Sequence, residues 1–151
     1  MPEIYVDADA CPVKAEVLRV AERHGLKTYM VSDGGVRPPR SPLVELVVVA
    51  PGMDAADDWI ADRIGKGDIA ITADTPLAAR CIAKGARVLR FNGRPFDAQS
   101  IGAALATRDL MSHLRDTGEI TGGPPPFAKQ DRSRFLDALE AMVQAAKRNS
   151  A

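Results

Sequence analysis

The sequence predicts an α/β domain in three layers: a mostly parallel five-stranded sheet, helices on both faces, and two further helices at the C-terminal end. Three observations predict it. Short apolar runs of strand length alternate with segments of helical spacing. Glycines punctuate the ends of those segments. The first, second and fourth strand-like runs are followed by or end on Asp7, Ser32 and Asp74, and the carboxyl ends of parallel strands are where ligands collect. The 151 residues, 46% apolar and 5% aromatic, suit one domain over 1–151, with a core of Ala, Val, Leu and Ile.

Residues 3–7 form a short buried strand. Pro12 then falls in the first helical turn, where its missing N–H costs nothing. Val13, Val17, Leu18 and Ala21 carry the helical spacing to a stop at Gly25. Lys27 to Val31 is the second strand, and 32–40, with two glycines and two prolines, is a loop. Leu43 to Ala50 is the third strand. A helix starts near Asp54, whose carboxylate can cap it, and runs to about Ile64. Gly65 and Gly67 bracket the turn into the strand Ile69 to Thr72. Another helix covers Pro76 to Lys84 and stops at Gly85, and Arg87 to Phe91 is the last strand. This order of β and α implies parallel pairing with right-handed crossovers. Beyond Asn92-Gly93-Arg94-Pro95 two helices are expected, at about 98–115 and 130–147. The connector Gly118 to Phe127 holds three consecutive prolines and must be a shaped loop. Phe135, Leu136, Leu139, Met142 and Val143 form an apolar stripe that packs on the sheet.

Charge and cysteine usage narrow the function classes. The chain is neutral overall, but residues 1–79 hold 13 acidic and 8 basic side chains, and residues 80–151 hold 7 acidic and 12 basic. An acidic cluster beside a basic half suits a metal-dependent enzyme acting on a polyanion, although scattered surface charge commonly serves solubility alone. No apolar run approaches the roughly 20 residues that span a membrane. Two cysteines fit neither a disulfide framework nor a zinc spacing. With no signal-like N-terminus, the expected location is the cytoplasm.

The chemistry concentrates in aspartates. Asp7 and Asp9 follow the first strand, and alternation in extended chain puts both carboxylates on one side. Either one alone would also cap the helix that Pro12 opens. Asp54, Asp57 and Asp58 lie at i, i+3 and i+4, so one helical face can hold Asp54 with either neighbour. An acidic first turn also suits the helix dipole without any ligand. Asp74 sits after a strand as Asp7 does, and also in a capping position. Converging carboxylates repel unless a proton or cation neutralises them. Hard oxygen donors without a His/Cys set suit Mg²⁺ or Mn²⁺. His24 and His113 stand apart and read as surface residues. Cys11 is at a helix N-terminus but has no base beside it, so it reads as a packed, inert thiol.

The strings Val6-Asp7-Ala8-Asp9-Ala10-Cys11-Pro12-Val13-Lys14, Gly67-Asp68-Ile69-Ala70-Ile71-Thr72-Ala73-Asp74-Thr75-Pro76, and Asn92-Gly93-Arg94-Pro95-Phe96 resemble the YaiI/YqxD family of uncharacterised bacterial proteins. Gly122-Gly123-Pro124-Pro125-Pro126-Phe127 and Asp131-Arg132 extend the resemblance over nearly the whole chain. The sheet-and-aspartate arrangement is similar to PIN and NYN domains, which are metal-dependent ribonucleases. That similarity implies a PIN-like domain, with Asp7 after the first strand, Asp54, Asp57 and Asp58 on the helix before the fourth, and Asp74 after the fourth. The 32–43 connection carries no glutamate of the kind PIN domains add there.

Three readings compete. The first is a Mg²⁺- or Mn²⁺-dependent phosphodiesterase acting on RNA. Its catalytic set is Asp7, Asp54, Asp57, Asp58 and Asp74, with Asp7, Asp9, Asp58 and Asp74 as metal ligands. Ser32, Lys14, Arg37, Arg40, Arg80 and Arg94 are its candidate substrate contacts. The second is a phosphatase of the haloacid dehalogenase type, with Asp7-Ala8-Asp9 as nucleophile and acid–base and Gly67-Asp68 superficially completing the set. The third is a nucleic-acid-binding or regulatory module without turnover.

Overall fold

A computed structural model describes residues 2–9, 11–34, 41–51, 55–97 and 128–149. The strands are β1 (Ile4–Asp7), β2 (Thr28–Ser32), β3 (Val44–Val48), β4 (Ile69–Ile71), β5 (Arg87–Leu89) and β6 (Pro95–Phe96). The helices are α1 (Lys14–His24), α2 (Ala55–Arg63), α3 (Thr75–Ala83) and α4 (Lys129–Asn149). The expected helix at 98–115 and the proline loop at 118–127 lie outside the described residues.

The six strands form one sheet in the order β3-β2-β1-β4-β5-β6. All pairs are parallel except β5 with β6, where Val88 faces Phe96 and Leu89 faces Pro95. The five parallel strands stand as expected, and β6 is an addition. It returns through a tight turn in which the Arg90 N–H donates to the Arg94 carbonyl at 3.0 Å. A two-residue strand opening on proline offers no periodicity to read, and proline is tolerated because this is the sheet edge.

Alternation along each strand feeds two cores. Ile4, Val6, Met30, Ile69, Ile71 and Leu89 point to the face covered by α1 and α4. Tyr5, Val31, Ala70, Val88 and Phe96 point to the face covered by α2 and α3. The apolar stripe of α4 behaves as its spacing predicts: Phe135, Leu139, Val143 and Ala146 are fully buried against the first face.

One helix start differs from expectation. Regular α1 begins at Lys14, with Val13 as its N-cap and no side chain capping it. Pro12 therefore lies in the turn before the helix. Gly25 ends α1 in the left-handed conformation, φ 66°, as its position after the last apolar residue predicts. His24, expected at the surface, is mostly buried between α1 and α4. Its Nε2 bonds the Glu140 carboxylate, and Lys147 Nζ approaches its Nδ1 at 3.4 Å.

The β5–β6 turn is held against α4 by a glycine. Gly93 has φ +87°, and a Cβ there would stand 2.7 Å from the Arg134 carbonyl carbon and oxygen. Backbone approaches backbone at that point, which fixes where α4 lies.

Candidate functional site

The strand order sets the site. From β1 the chain moves outward to β2 and β3, then returns to the other side of β1 for β4 and β5. The crevice between the carboxyl ends of β1 and β4 is thus a topological switch point, where parallel sheets bind ligands. Asp7 ends β1, and Thr72 and Asp74 leave β4.

One hydroxyl ties them together. Thr72 is fully buried. Its Oγ1 donates to Asp7 Oδ2 at 3.0 Å and accepts from the Asp74 N–H at 3.0 Å. Asp74 then caps α3, its Oδ1 accepting the Leu77 N–H at 2.9 Å. Capping and site placement are one arrangement at Asp74. Burial raises the Asp7 carboxyl above its ordinary range; the Thr72 bond opposes this, and the charges of Asp74 and Asp9 add to it. Asp7, Asp9 and Asp74 therefore share one electrostatic neighbourhood.

Asp9 does not cap the helix after Pro12. Its Oδ1 accepts from Ser32 Oγ at 2.6 Å, and its Oδ2 accepts the Asp33 N–H at 3.1 Å. Ser32, fully buried, also receives the Gly34 N–H at 3.1 Å. The exits of β1 and β2 are locked by this pair. A partner 23 residues away could not be read from local spacing.

The second group of carboxylates faces elsewhere. Asp58 Oδ1 pairs with Arg80 Nη1 at 2.8 Å, linking α2 to α3. The Asp58 bond raises the Arg80 pKa, and the charges of Asp62 and Asp57 add to the shift. Both partners are well exposed, so the pair contributes about 0–1 kcal/mol and satisfies both charges locally. Asp58 and Arg80 thus answer each other, while Asp7 and the Asp74 main chain are joined through Thr72 at the switch point. Asp54, Arg37 and Arg40 lie outside the described residues. Lys14 Nζ donates to the Cys11 carbonyl at 2.9 Å, at the exit of β1. Arg94 is exposed on the β5–β6 turn.

Among the described residues, no group of three or more His, Cys, Asp or Glu side chains is placed to hold a metal ion. Two partly buried, mutually repelling carboxylates suit a hard ion that keeps most of its water. Mg²⁺ is commonly held by one or two carboxylates in this way. They do not suit a closed protein cage. Burial pushes the Cys11 and Cys81 thiols up to about 11, so neither is a nucleophile at neutral pH.

Asp68 is excluded from this edge. It precedes β4 and accepts the Glu3 N–H at 3.0 Å and the Gly65 N–H at 2.9 Å. That places it at the amino end of the sheet, where both tyrosine hydroxyls also approach Glu3. The phosphatase-type set of Asp7, Asp9 and Asp68 is split between opposite edges.

The Thr72 hydroxyl is directly testable. Thr72→Val keeps the shape but strips Asp7 of its donor and leaves the Asp74 N–H unpaired. The expected loss is about 1–3 kcal/mol, read as a lower urea midpoint with an unchanged slope. Because the Thr72 bond lowers the Asp7 pKa, its titration in carboxyl-labelled NMR is expected to move further up. An unchanged midpoint and titration would remove Thr72 from the site.

Comparison with known proteins agrees with the residues quoted above. Residues 5–145 match the model of a family described as uncharacterised BCR, YaiI/YqxD family. A UPF0178 protein of Parvibaculum lavamentivorans is 62% identical over 148 residues, covering 98% of this chain and 97% of its own length. UPF0178 proteins of Nitrobacter winogradskyi and Ruegeria pomeroyi are each 57% identical, over 145 and 152 residues. These cover 96% and 99% of this chain, and 92% and 99% of their own lengths. No solved structure matches the chain.

Proposed function

Since the chain belongs to the uncharacterised bacterial YaiI/YqxD family, its chemistry must come from its own side chains, and we propose that it is a Mg²⁺- or Mn²⁺-dependent phosphodiesterase acting on RNA. The observation that carries this reading is the Asp7–Thr72–Asp74 link across the switch point. One buried hydroxyl holds the Asp7 carboxylate and the Asp74 main chain together, at the edge where α/β sheets bind ligands.

Asp7 and Asp74 are the residues that would hold the ion. When bound, it would supply Lewis-acid stabilisation of a phosphoryl oxygen and lower the pKa of a water. Thr72 orients Asp7 by donating to Oδ2. The Leu77 N–H orients Asp74 and leaves its second oxygen outside the cap bond. Asp9 and Ser32 act behind them by joining the exits of β1 and β2. Asp57 and Asp58 are assigned to the α2–α3 surface and not to the ion.

Asn caps a helix about as well as Asp, so Asp74→Asn keeps α3 while removing a charge. With Mn²⁺, the wild type is expected to cleave single-stranded RNA. Asp74→Asn is expected to lose on the order of 10²–10³-fold in rate, the equivalent of about 3–4 kcal/mol of electrostatic stabilisation. Wild-type protein that binds RNA without cutting it under any divalent ion would instead support the non-catalytic nucleic-acid module.

A further inference from the structure

We propose that Arg132 is a positioning residue of the carboxyl edge: from the first turn of α4 it anchors the β1–α1 connection, which leads on from Asp7 and carries Asp9. Its role toward a metal ion rests on the reading of that edge as a phosphodiesterase site.

The connection is pinned at both ends. Near β1, Asp9 accepts the Ser32 hydroxyl and the Asp33 N–H, which ties it to the exit of β2. Near α1 its own residues offer little. Val13 is the N-cap, and its side chain caps nothing. Pro12 has no N–H, so its main chain can be held only through the carbonyl. That carbonyl accepts from Arg132 Nη1, 120 residues away in sequence. The preceding carbonyl, of Cys11, accepts from Lys14 Nζ at 2.9 Å. Two cations thus grip consecutive carbonyls, one from α1 and one from α4. The gripped segment lies close to Asp7. Burial raises the Cys11 thiol, the Val13 N–H and Lys14 oppose this, and the charges of Asp7 and Glu16 add to it.

α4 is built to deliver this arginine. Asp131 Oδ2 accepts the Ala128 N–H at 2.9 Å, while the Asp131 N–H donates to the Ala128 carbonyl at 3.0 Å. This reciprocal pair fixes where the helix starts, as a capping box does. Arg132 then falls three residues before Phe135, on the same helical face. Phe135, Leu139 and Val143 are fully buried against the sheet, so Arg132 heads the docked stripe. Glu16, in the first turn of α1, gives the guanidinium a second partner at 3.6 Å. The Glu16 side chain is only 17% exposed, and its Oε2 is buried without a hydrogen-bond partner among the described residues. A neutral side chain at 132 would take the cation from that carboxylate and the donor from the Pro12 carbonyl.

Native-state hydrogen exchange in EDTA tests the anchor without any ion. The Cys11 N–H donates to the Ala8 carbonyl within the connection, and the Asp33 N–H donates to Asp9. Relative to core amides of β4, Arg132→Gln is expected to speed exchange at both by about tenfold or more, as loss of a charge-assisted hydrogen bond implies. Arg132→Lys keeps a charged donor and is expected to restore most of the protection. Arg134→Gln, two residues on in the same helix, is expected to change neither amide. Mn²⁺ alone, followed by the paramagnetic resonance of the free ion, is expected to bind Arg132→Gln about tenfold more weakly, as when a group that orients metal ligands is removed. An equal change in Arg134→Gln, or Mn²⁺ affinity untouched while the amides exchange faster, would each overturn the positioning role. Mn²⁺ bound by wild type, with exchange unchanged in Arg132→Gln, overturns the anchor only. Faster exchange in Arg132→Gln, with no Mn²⁺ bound by wild type, overturns the site reading only.

Discussion

Asp7→Asn is expected to stabilise the fold at neutral pH while abolishing phosphodiester cleavage. Burial, assisted by the charges of Asp74 and Asp9, holds the Asp7 pKa above its ordinary 3.8. Below 3.8 both folded and unfolded chains carry the proton, and the aspartate costs nothing. As pH rises from 3.8 to the raised folded value, the unfolded chain ionises first, and stability falls. Above the folded value the whole cost persists. Asparagine removes it and still accepts the Thr72 hydroxyl. The variant should therefore melt like wild type near pH 3 and gain about 0.5–2 kcal/mol at pH 7, the range of ordinary stabilising substitutions. Manganese should stabilise the wild type, by about 2.7 kcal/mol at a hundredfold excess over its Kd, and leave the variant unmoved. Calorimetric melts at pH 3 and 7, with and without Mn²⁺, read all four quantities. A variant less stable than wild type at pH 7 would mean that Asp7 serves the fold, not a ligand.

Gly93→Ala is expected to be the most damaging single-carbon addition in the described chain. A left-handed backbone costs a residue with a Cβ about 1–2 kcal/mol. Here the Cβ would also press on main-chain atoms at 2.7–2.8 Å, and forced overpacking adds about 1–3 kcal/mol. The loss should total about 2–5 kcal/mol in urea unfolding. Gly67, which also has positive φ but no atom within 4 Å of the added carbon, should lose only the conformational part. Equal losses at both positions would show that α4 yields freely and that the turn does not fix it.

Much of the fold was legible because its signals are local. Gly25 and Gly85 stop α1 and α3, and apolar runs mark five strands. The α4 stripe from Phe135 to Val143 repeats with helical spacing. β6 escaped notice because its two residues have no period. His24 misled for a related reason: its partner Glu140 is 116 residues away. The site was half legible. Asp7 and Asp74 announce themselves by following strands, but the hydroxyl that joins them is a threonine inside an apolar run. Asp58 and Asp9 carried the right chemistry at suggestive spacings and found other partners, Arg80 and Ser32.

The way α4 closes one face of the sheet also constrains biosynthesis. Every described strand is made before it, yet Ile4, Val6 and Leu89 share a core with Phe135 and Val143. A nascent chain that has completed β6 has α1 on that side of the sheet but lacks the part of the cover that Phe135, Leu139 and Val143 supply until the residues after 128 leave the ribosome. At roughly 5–20 residues per second the wait lasts several seconds. During that interval the surface reserved for α4 is exposed apolar area of the kind that favours aggregation.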